Sequence, residues 1–180
     1  MVEITYFVHG TTPDNENGIA TGWLPGRLSK LGVQQAHQLA KDVVDQHFDV
    51  VICSDLKRAV DTAQIAFGET HEVGQDNRLR EANYGDWNGK SHHLFKDRME
   101  DFVDNPFPNG ESYKDVEKKM RSLCNDLKKK HDGKRVALLA SQAPQLALEV
   151  IANHKTWDQA IAQDWRRTMA YQPGWHYTLD

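Results

Sequence analysis

The stretch ITYFVHGTTPDN, residues 4–15, decides the fold. Its first five residues predict a β-strand that runs directly into His9 and Gly10. Because α/β proteins keep their chemistry at the carboxyl ends of parallel strands, His9 is the first candidate for a functional side chain. Gly10 permits a sharp turn after the strand, and Thr12 and Asn15 then supply short hydrogen-bonding side chains that can reach an anion beside the imidazole.

Length and composition favour one globular domain over residues 1–180. The chain has 180 residues, of which 39% are hydrophobic, and this is enough for one full core. A net charge of -4 and a pI near 6.1 provide no excess of basic charge for a nucleic acid backbone, so no nucleic acid partner is expected. The lysine run at residues 128–130 is too short to act alone and predicts the exposed end of a helix.

The chain is expected to be cytoplasmic, without a membrane partner. Residues 1–3 enter a strand at once, without a basic leader, and no later segment approaches the ~20 apolar residues of a membrane span. Cys53 lies in an apolar strand and Cys124 in a predicted helix, so we expect two buried thiols and neither a metal site nor a disulfide framework. The oligomeric state does not follow from the sequence.

Strand and helix patterns alternate along the rest of the chain. Strands are predicted at residues 49–53, 72–73 and 135–140, with candidates for terminal strands at residues 168–171 and 175–179. Helices are predicted over residues 28–46, from a cap at Ser54 or Asp55 to Phe67, over residues 91–103, 112–130 and 156–163, and from residue 141 onward. Residues 81–90 are rich in Gly and Asn and predict a functional loop. The alternation predicts an α/β sandwich with a mostly parallel sheet.

The stretch that opens the chain resembles the signature of the histidine phosphatase superfamily, also called phosphoglycerate mutase-like. That signature reads Arg-His-Gly-x-Thr/Ser-x-x-Asn, and residues 8–15 keep every fixed position except the arginine, which is Val8. The resemblance implies a three-layer α/β sandwich, with a mostly parallel central sheet flanked by helices.

Further segments resemble other blocks of the same family, in the same order. Residues 54–63 resemble the second motif, in which Arg58 takes the place of an arginine that points toward the phosphate. Residues 79–89 resemble the third motif, whose glutamate corresponds to Glu81. The remaining matches are residues 28–36 and residues 109–113. Alone, Arg58 or Glu81 is an ordinary surface charge, but the resemblance spans essentially the whole chain.

The resemblance implies phosphoryl transfer through a covalent phosphohistidine at His9. Such a reaction needs a neutral imidazole nitrogen aimed at phosphorus and cations around the phosphoryl oxygens. Glu81 takes the place of the residue that protonates the leaving oxygen, and no metal or other cofactor is implied. The family positions that bind phosphate or the rest of the substrate correspond to Thr12, Asn15, Thr21, Gly22 and Arg58.

Two positions depart from the family pattern. Relatives carry an arginine before the nucleophile, where this chain has Val8, and a second histidine after the late buried strand, which aligns with Ser141 or alternatively with Gln142. Each charge-assisted hydrogen bond contributes roughly 1.5–3 kcal/mol, so two losses weaken anion stabilisation by roughly 3–6 kcal/mol, or about two to four decades in rate. Arg58, the Ser141 hydroxyl and the N–H groups of the helix near Pro144 remain to hold an anion.

The sequence leaves three functions open. The first is a metal-independent phosphatase for a small phosphorylated metabolite, preferred over a mutase because the short segment between the Gly89 loop and the Asn109 block leaves little material for a lid. The second is a weak or inactive relative that binds phosphorylated ligands or a protein partner. The adjacent His92 and His93 are a further, open candidate for substrate contact. The third function is an interaction module whose binding surface is the aromatic tail. Packing of these aromatic residues into the core is the simpler explanation of the tail. The tail consists of Trp157, Trp165, Tyr171, Trp175 and Tyr177.

Overall fold

Strands and helices alternate along the chain, and the computed structural model describes residues 1–168 and 174–180. The strands are β1 Val2–Val8, β2 Ile19–Ala20, β3 Val50–Cys53, β4 Val73–Gln75, β5 Lys90–Ser91, β6 Arg135–Ala140 and β7 Trp175–Leu179. The helices are α1 Pro13–Glu16, α2 Lys30–Asp42, α3 Lys57–Phe67, α4 Tyr113–Lys130, α5 Gln142–Ile151, α6 Trp157–Ala162 and α7 Trp165–Thr168. Tight 3-10 segments cover Asn77–Leu79, Gly85–Trp87, His92–Leu94 and Lys96–Phe102.

The main sheet has the strand order β4-β3-β6-β1-β7. Its neighbouring strands are parallel except for β1 and β7, which are antiparallel. β6 lies at the centre of the sheet, and every residue after Arg135 is buried, as expected for a parallel strand covered on both faces. The short strands β2 and β5 pair separately. The prediction of a mostly parallel α/β sheet is confirmed.

Helices cover both faces of the sheet. Side chains of β1 alternate between the two faces, so Tyr6 belongs to the hydrophobic cluster that includes α4 and α5, while Phe7 belongs to the cluster that includes α2 and α3. Phe7 packs against Phe67 with ring centroids 5.7 Å apart. Full burial of such a ring contributes roughly 1.5–3 kcal/mol. The three-layer sandwich is therefore confirmed.

The carboxyl ends of β1, β3 and β6 meet at one edge of the sheet. Beyond the strands themselves, the N–H of His9 donates to the carbonyl of Ala140 at 3.0 Å, and the N–H of Ser54 donates to the carbonyl of Leu139 at 3.0 Å. The pairing therefore continues into the loops that follow β1 and β3, and it fixes those loops side by side.

Gly10 and Gly32 bring the loop after β1 into direct contact with the first turn of α2. A Cβ atom on Gly10 would lie 2.4 Å from the carbonyl oxygen of Gly32, and one on Gly32 would lie 2.0 Å from the carbonyl oxygen of Thr11. Real Cβ atoms do not approach backbone oxygen so closely, so this contact requires glycine at both positions. The contact holds the loop after His9 against a rigid helix.

α3 begins differently from the sequence prediction. Its N-cap residue is Leu56, which makes no side-chain capping bond, so the predicted cap at Ser54 or Asp55 is wrong. The Ser54 hydroxyl accepts a hydrogen bond from the N–H of Leu56 at 3.3 Å, and Asp55 pairs with Arg80 at 2.8 Å. The ion pair with Arg80 draws Asp55 away from the helix terminus.

Two predicted helices have different bounds or a different form. The helix predicted over residues 28–46 covers Lys30–Asp42. The region predicted as a helix over residues 91–103 forms 3-10 segments at residues 92–94 and 96–102 instead, with a non-helical backbone at Arg98 (φ -142°, ψ 39°). The cause is tertiary, because Phe95 packs against Tyr84 at 4.7 Å and Phe102 stacks on Phe107 at 4.2 Å. These ring contacts outweigh the preference of the segment for a regular helix.

The end of the chain packs mainly into the core. β7 confirms the strand predicted over residues 175–179. Thr168 ends α7, whereas residues 169–171 of the other candidate strand, Tyr171 included, lie outside the described residues. Trp165 is partly buried against the core. The buried aromatic residues of this segment are Trp157, Trp175 and Tyr177.

Cys53 and Cys124 are both buried thiols, as the sequence predicts. Burial raises the pKa of each thiol to about 11, so both are protonated near neutral pH. Across residues 1–168 and 174–180, no helix is both long and apolar enough to span a bilayer.

Candidate active site

His9 stands at the carboxyl end of β1 with its ring fixed by a backbone carbonyl. The ring nitrogen Nδ1 lies 2.7 Å from the carbonyl oxygen of Gly10. Because a carbonyl oxygen only accepts hydrogen bonds, Nδ1 carries the hydrogen and Nε2 keeps a lone pair. Burial, followed by the charge of Arg58, lowers the pKa of His9 to about 3, so the imidazole is neutral at pH 7.

Arg58 is held in the first turn of α3 and is almost completely buried. Its Nε donates to Nε2 of His9 at 3.2 Å, and its Nη2 donates to the carbonyl of Gly22 at 2.8 Å. A third contact joins Nη1 to the carbonyl of Leu24 at 3.5 Å. The backbone of residues 22–24 therefore sets the plane of the guanidinium beside the imidazole.

Thr62 joins the loop after β1 to α3. Its hydroxyl accepts a hydrogen bond from the N–H of Gly10 at 3.0 Å and donates one to the carbonyl of Arg58 at 2.7 Å. The side chain is fully buried. One hydroxyl thus ties the residue next to the candidate nucleophile to the residue that supplies the charge.

Glu81 is buried, and backbone N–H groups hold its carboxylate. Oε1 accepts hydrogen bonds from Ala82 at 2.8 Å and Ala143 at 3.1 Å, and Oε2 accepts one from Gln142 at 3.0 Å. Two of these three donors belong to the first turn of α5. The sequence analysis expected the N–H groups near Pro144 to hold a bound anion, but the structure shows that Glu81 already uses those of residues 142 and 143.

The loop that carries Glu81 is locked by two tight backbone approaches. Gly85 adopts a φ of +56°, and a Cβ atom there would lie 2.0 Å from the carbonyl oxygen of Pro108. A Cβ atom on Gly110 would lie 2.3 Å from the carbonyl oxygen of Asn83. The motif at residues 79–89 and the block at residues 109–113 are therefore parts of one packed unit.

The structure separates the two residues that align with the missing family histidine. Ser141 is buried, and its hydroxyl has no hydrogen-bond partner among the described residues. It is not among the described residues that line the cavity, whereas Gln142 is. The amide Nε2 of Gln142 donates to Oδ2 of Asp164. Of the two residues that the sequence offers for the second family histidine, Gln142 is therefore the one that lines the cavity.

The other predicted binding residues divide into lining and supporting positions. Thr12 is buried and caps α1, accepting a hydrogen bond from the N–H of Asn15 at 3.1 Å. The side-chain oxygen of Asn15 accepts a hydrogen bond from the N–H of Thr12 at 3.2 Å. The NH2 group of Asn15 is therefore left as a donor for a ligand. Thr21 donates to Asp14 at 2.8 Å, and Gly22, at a φ of +55°, offers the carbonyl that holds Arg58.

A cavity of about 1120 Å³ brings most of the predicted site together. The predicted residues in its wall are His9, Asn15, Thr21, Gly22, Arg58, Glu81 and Gln142. Val8 also lines it, so the arginine position of the family is filled here by an apolar side chain. His92 borders the same cavity, stacked on His93 with ring centroids 4.7 Å apart.

Asp164 and Arg166 also line this cavity, and the sequence analysis missed both. Oδ1 of Asp164 accepts hydrogen bonds from the backbone N–H of Arg166 at 3.2 Å and from its Nη1 at 3.1 Å. The segment DWRR, residues 164–167, combines an acid, an aromatic ring and two cations, which was the available signal.

The arrangement suits attack on an electrophile that carries negative charge. A neutral imidazole with an available lone pair, next to a buried guanidinium, supplies a nucleophile and a cation in fixed geometry. Glu81 adds a carboxyl group in the wall of the same cavity.

The comparisons with known proteins agree with this geometry. A model of the histidine phosphatase superfamily (branch 1) matches residues 6–170. The chain therefore belongs to that superfamily, and the resemblance of its motifs is confirmed.

Several relatives in this superfamily are named phosphatases. Phosphoserine phosphatase 1 of Hydrogenobacter thermophilus is 30% identical over 157 residues, covering 82% of this chain and 74% of that protein. A provisionally named phosphoserine phosphatase 2 of the same bacterium is 33% identical over 132 residues, or 68% of this chain, and the chain spans 65% of that protein. Glucosyl-3-phosphoglycerate phosphatase of Mycolicibacterium vanbaalenii is 40% identical over 86 residues, covering 47% of this chain and 38% of that protein.

Solved structures share the fold over most of the chain. Mycobacterial hydrolase 1 superposes with a TM-score of 0.81 and 27% identity, covering 89% of this chain and 85% of its own. A mycobacterial glucosyl-3-phosphoglycerate phosphatase in complex with VO3 superposes with a TM-score of 0.78 and 28% identity, covering 89% of this chain and 86% of its own.

Proposed function

We propose that this protein is a metal-independent phosphatase that hydrolyses a small phosphate monoester through a phosphohistidine at His9. The observation that carries the proposal is the pairing of His9 with Arg58, in which a neutral Nε2 faces a buried guanidinium at 3.2 Å in the wall of a large cavity. Few other reactions need a neutral imidazole nucleophile and a cation within hydrogen-bonding distance of each other.

In the first step, Nε2 of His9 attacks phosphorus while the bond from phosphorus to the ester oxygen breaks. The N–H groups of Arg58 turn from Nε2 to the phosphoryl oxygens, whose charge the guanidinium then offsets. Because an alkoxide leaves poorly at neutral pH, Glu81 enters this step as the protonated acid and gives its proton to the departing oxygen. The products of this step are an alcohol and a phosphohistidine.

In the second step, water attacks the phosphohistidine. Glu81, now a carboxylate, takes a proton from the water, and the bond between phosphorus and nitrogen breaks. Orthophosphate leaves, and the imidazole returns to the tautomer that the Gly10 carbonyl selects. The backbone donors on Glu81 hold its carboxylate in position for this step.

The remaining predicted residues have different proposed roles. The NH2 group of Asn15 is a donor for the phosphate, and Thr21 and Gln142 face the rest of the substrate. Gly22 acts through its carbonyl, which orients Arg58. Thr12 acts through its N-cap hydrogen bond to the backbone N–H of Asn15, which orients Asn15. The Ser141 hydroxyl is buried, so a direct role in the reaction would require this group to become accessible.

The substrate is proposed to be a small phosphorylated metabolite. The relatives named above are phosphatases for phosphoserine and for glucosyl-3-phosphoglycerate, both of which are small phosphate monoesters. These names do not favour the alternative of an inactive protein that only binds phosphorylated ligands. A single domain over residues 1–180 and a cytoplasmic location remain part of the proposal. The single domain is supported by the main sheet, in which β1 and β7, from opposite ends of the chain, are neighbours.

The test is a turnover assay on a panel of phosphate monoesters in the presence of a metal chelator. The wild-type protein should release orthophosphate, and His9→Ala should reduce the rate to background. Rapid quenching with a labelled ester should trap an acid-labile, base-stable label on His9. Turnover that survives His9→Ala undiminished would contradict the mechanism, and binding without turnover would favour the inactive alternative.

A further inference from the structure

The phosphate subsite contains one cation in contact with His9, as far as the described residues show. That cation is Arg58, while Val8 gives the neighbouring part of the wall an apolar surface. A phosphate monoester dianion carries charge on three oxygens, and protein sites that transfer it surround those oxygens with several donors. Asn15 offers a neutral donor, so a second positive charge has to come from elsewhere in the cavity wall.

Asp164 is a buried carboxylate that organises this wall. Its side chain is 1% exposed, and such a group must be paired or hydrogen-bonded to be tolerated. Oδ1 pairs with Arg166 and Oδ2 accepts the amide of Gln142, so the two oxygens hold two different cavity residues. The carboxylate thereby keeps an arginine at the cavity.

A continuous set of hydrogen bonds connects this arginine to the candidate acid. The backbone N–H of Gln142 binds Glu81 at 3.0 Å, and its side chain binds Asp164, which in turn binds Arg166. All four residues line the cavity that contains His9. The guanidinium of Arg166 also lies 4.5 Å from the ring centroid of Trp165, which limits its orientation.

We propose that Arg166 is a second phosphate-binding cation, which supplies the charge that Val8 does not and which Asp164 holds in place. This inference rests on the proposed function for the identity of its ligand, a phosphate monoester. A guanidinium has five N–H groups in a planar fork, so one side-chain bond to Asp164 does not saturate it. The positive charge of Arg166 also contributes to the lowered pKa of His9, which agrees with a position close to the imidazole.

The neighbouring Arg167 is less suited to this role, although it borders the same cavity. Its Nη1 donates to Glu100 at 3.1 Å and its Nη2 donates to the carbonyl of Lys96 at 3.0 Å. These contacts fasten α7 to the 3-10 segment at residues 96–102. Arg167 therefore has a structural task, whereas the partner of Arg166 belongs to the cavity wall itself.

The experiment measures orthophosphate binding by isothermal titration, which does not require turnover. Arg166→Gln should weaken binding roughly 10- to 100-fold, because one charge-assisted interaction is lost. Arg166→Lys should recover part of this loss, since it keeps the charge but not the planar fork. The control is Arg98→Gln, whose side chain is 57% exposed in a surface pair and lies outside the cavity wall, and it should bind as the wild type does.

A second measurement uses the wild-type protein, so that the test survives a folding defect in Arg166→Gln. The Nε–H resonance of Arg166, assigned by its loss in Arg166→Lys, should shift during the phosphate titration. The change in its chemical shift should saturate at the same phosphate concentration as the calorimetric signal. An unshifted resonance would overturn the inference, as would unchanged binding by a folded Arg166→Gln.

The outcomes separate this inference from the proposed phosphatase activity. If the wild type shows turnover that depends on His9 while Arg166→Gln binds phosphate normally, the activity stands and the inference fails. If no ester is hydrolysed but phosphate binding depends on Arg166, the inference stands and the activity fails. If the wild type binds no orthophosphate, both are wrong.

Discussion

Nε of Arg58 donates a hydrogen bond of 3.2 Å to Nε2 of His9, so the arginine is bound to the same nitrogen that would attack phosphorus. This bond directs the lone pair of Nε2 toward the guanidinium, while burial and then the charge of Arg58 lower the pKa of His9 and keep the imidazole neutral. Under the proposed mechanism, a phosphate that enters the site accepts the arginine donors in place of Nε2. Ligand binding would then release the nucleophile and neutralise part of the ligand charge in one exchange.

The first prediction concerns the stability of the protein in acid. In the unfolded chain a histidine has a pKa near 6.5, whereas in the folded protein the pKa of His9 is lowered to about 3. Between these values the unfolded state binds the extra proton, so the free energy of unfolding falls as the pH falls from about 6.5 towards about 3. Urea unfolding across this range should show a shallower decline for His9→Gln than for the wild type. Equal slopes for His9→Gln and the wild type would contradict the assignment.

The second prediction concerns Arg58. Arg58→Gln removes the cation next to His9, and kcat/KM should fall roughly 10- to 100-fold or more because each charge-assisted hydrogen bond to the phosphoryl group contributes roughly 1.5–3 kcal/mol. Arg58→Lys should not restore activity fully, because a lysine cannot hold the Gly22 carbonyl and a phosphate oxygen in one plane. The control is Arg121→Gln, where the arginine is 53% exposed in a surface pair with Glu117. Steady-state kinetics with the preferred ester provide the measurement, and near wild-type rates for Arg58→Gln would exclude the proposed site.

The parts of the fold that the sequence predicted correctly are those whose signal is local. β6 is a continuous apolar run because both faces of the strand are covered, and its bounds follow directly from that pattern. The corner at His9 was predicted because a strand, a histidine and a glycine are adjacent in the chain. Motif resemblance then added Arg58 and Glu81, which the structure places in the same cavity wall.

The parts that the sequence did not predict depend on contacts between distant residues. Glu81 accepts hydrogen bonds from the first N–H groups of α5, which belong to residues 61 and 62 positions further along the chain. No local sequence pattern indicates such a contact. The hydrogen bond between Gln142 and Asp164 is another such contact. Gln142 lines the cavity, whereas Ser141 is not among the described residues that line it. Similarly, the segment at residues 91–103 has apolar residues at helical spacing, but ring packing against Tyr84 and Phe107 bends it into 3-10 segments.

The third prediction concerns Thr62, whose hydroxyl bonds both the N–H of Gly10 and the carbonyl of Arg58. Thr62→Val keeps the shape of the side chain but leaves the buried N–H of Gly10 without this acceptor, so the free energy of unfolding should fall by about 1–3 kcal/mol. Because the same bond aligns the loop of His9 with α3, kcat should fall more than KM rises. Thr70→Val, at an exposed hydroxyl that donates to the Phe67 carbonyl, should change stability by less than about 0.5 kcal/mol. Chemical denaturation and kinetics on both variants check this, and equal effects at the two positions would refute the linking role of Thr62.

The last prediction concerns the position of the missing family histidine, for which we propose Gln142 in preference to Ser141, because Gln142 lines the cavity. Gln142→His should fold normally, because Asp164 can accept a hydrogen bond from an imidazole N–H as it does from the Gln142 amide, and the resulting pair would face the cavity. The added donor should raise kcat more than it lowers KM, since it stabilises the phosphoryl group most strongly in the transition state. Ser141→His places the ring in a buried, packed position instead and should destabilise the fold by about 1–3 kcal/mol without raising turnover. Kinetics and thermal unfolding of the two variants, measured side by side, distinguish the positions. A gain in turnover for Ser141→His, with none for Gln142→His, would return the family position to Ser141.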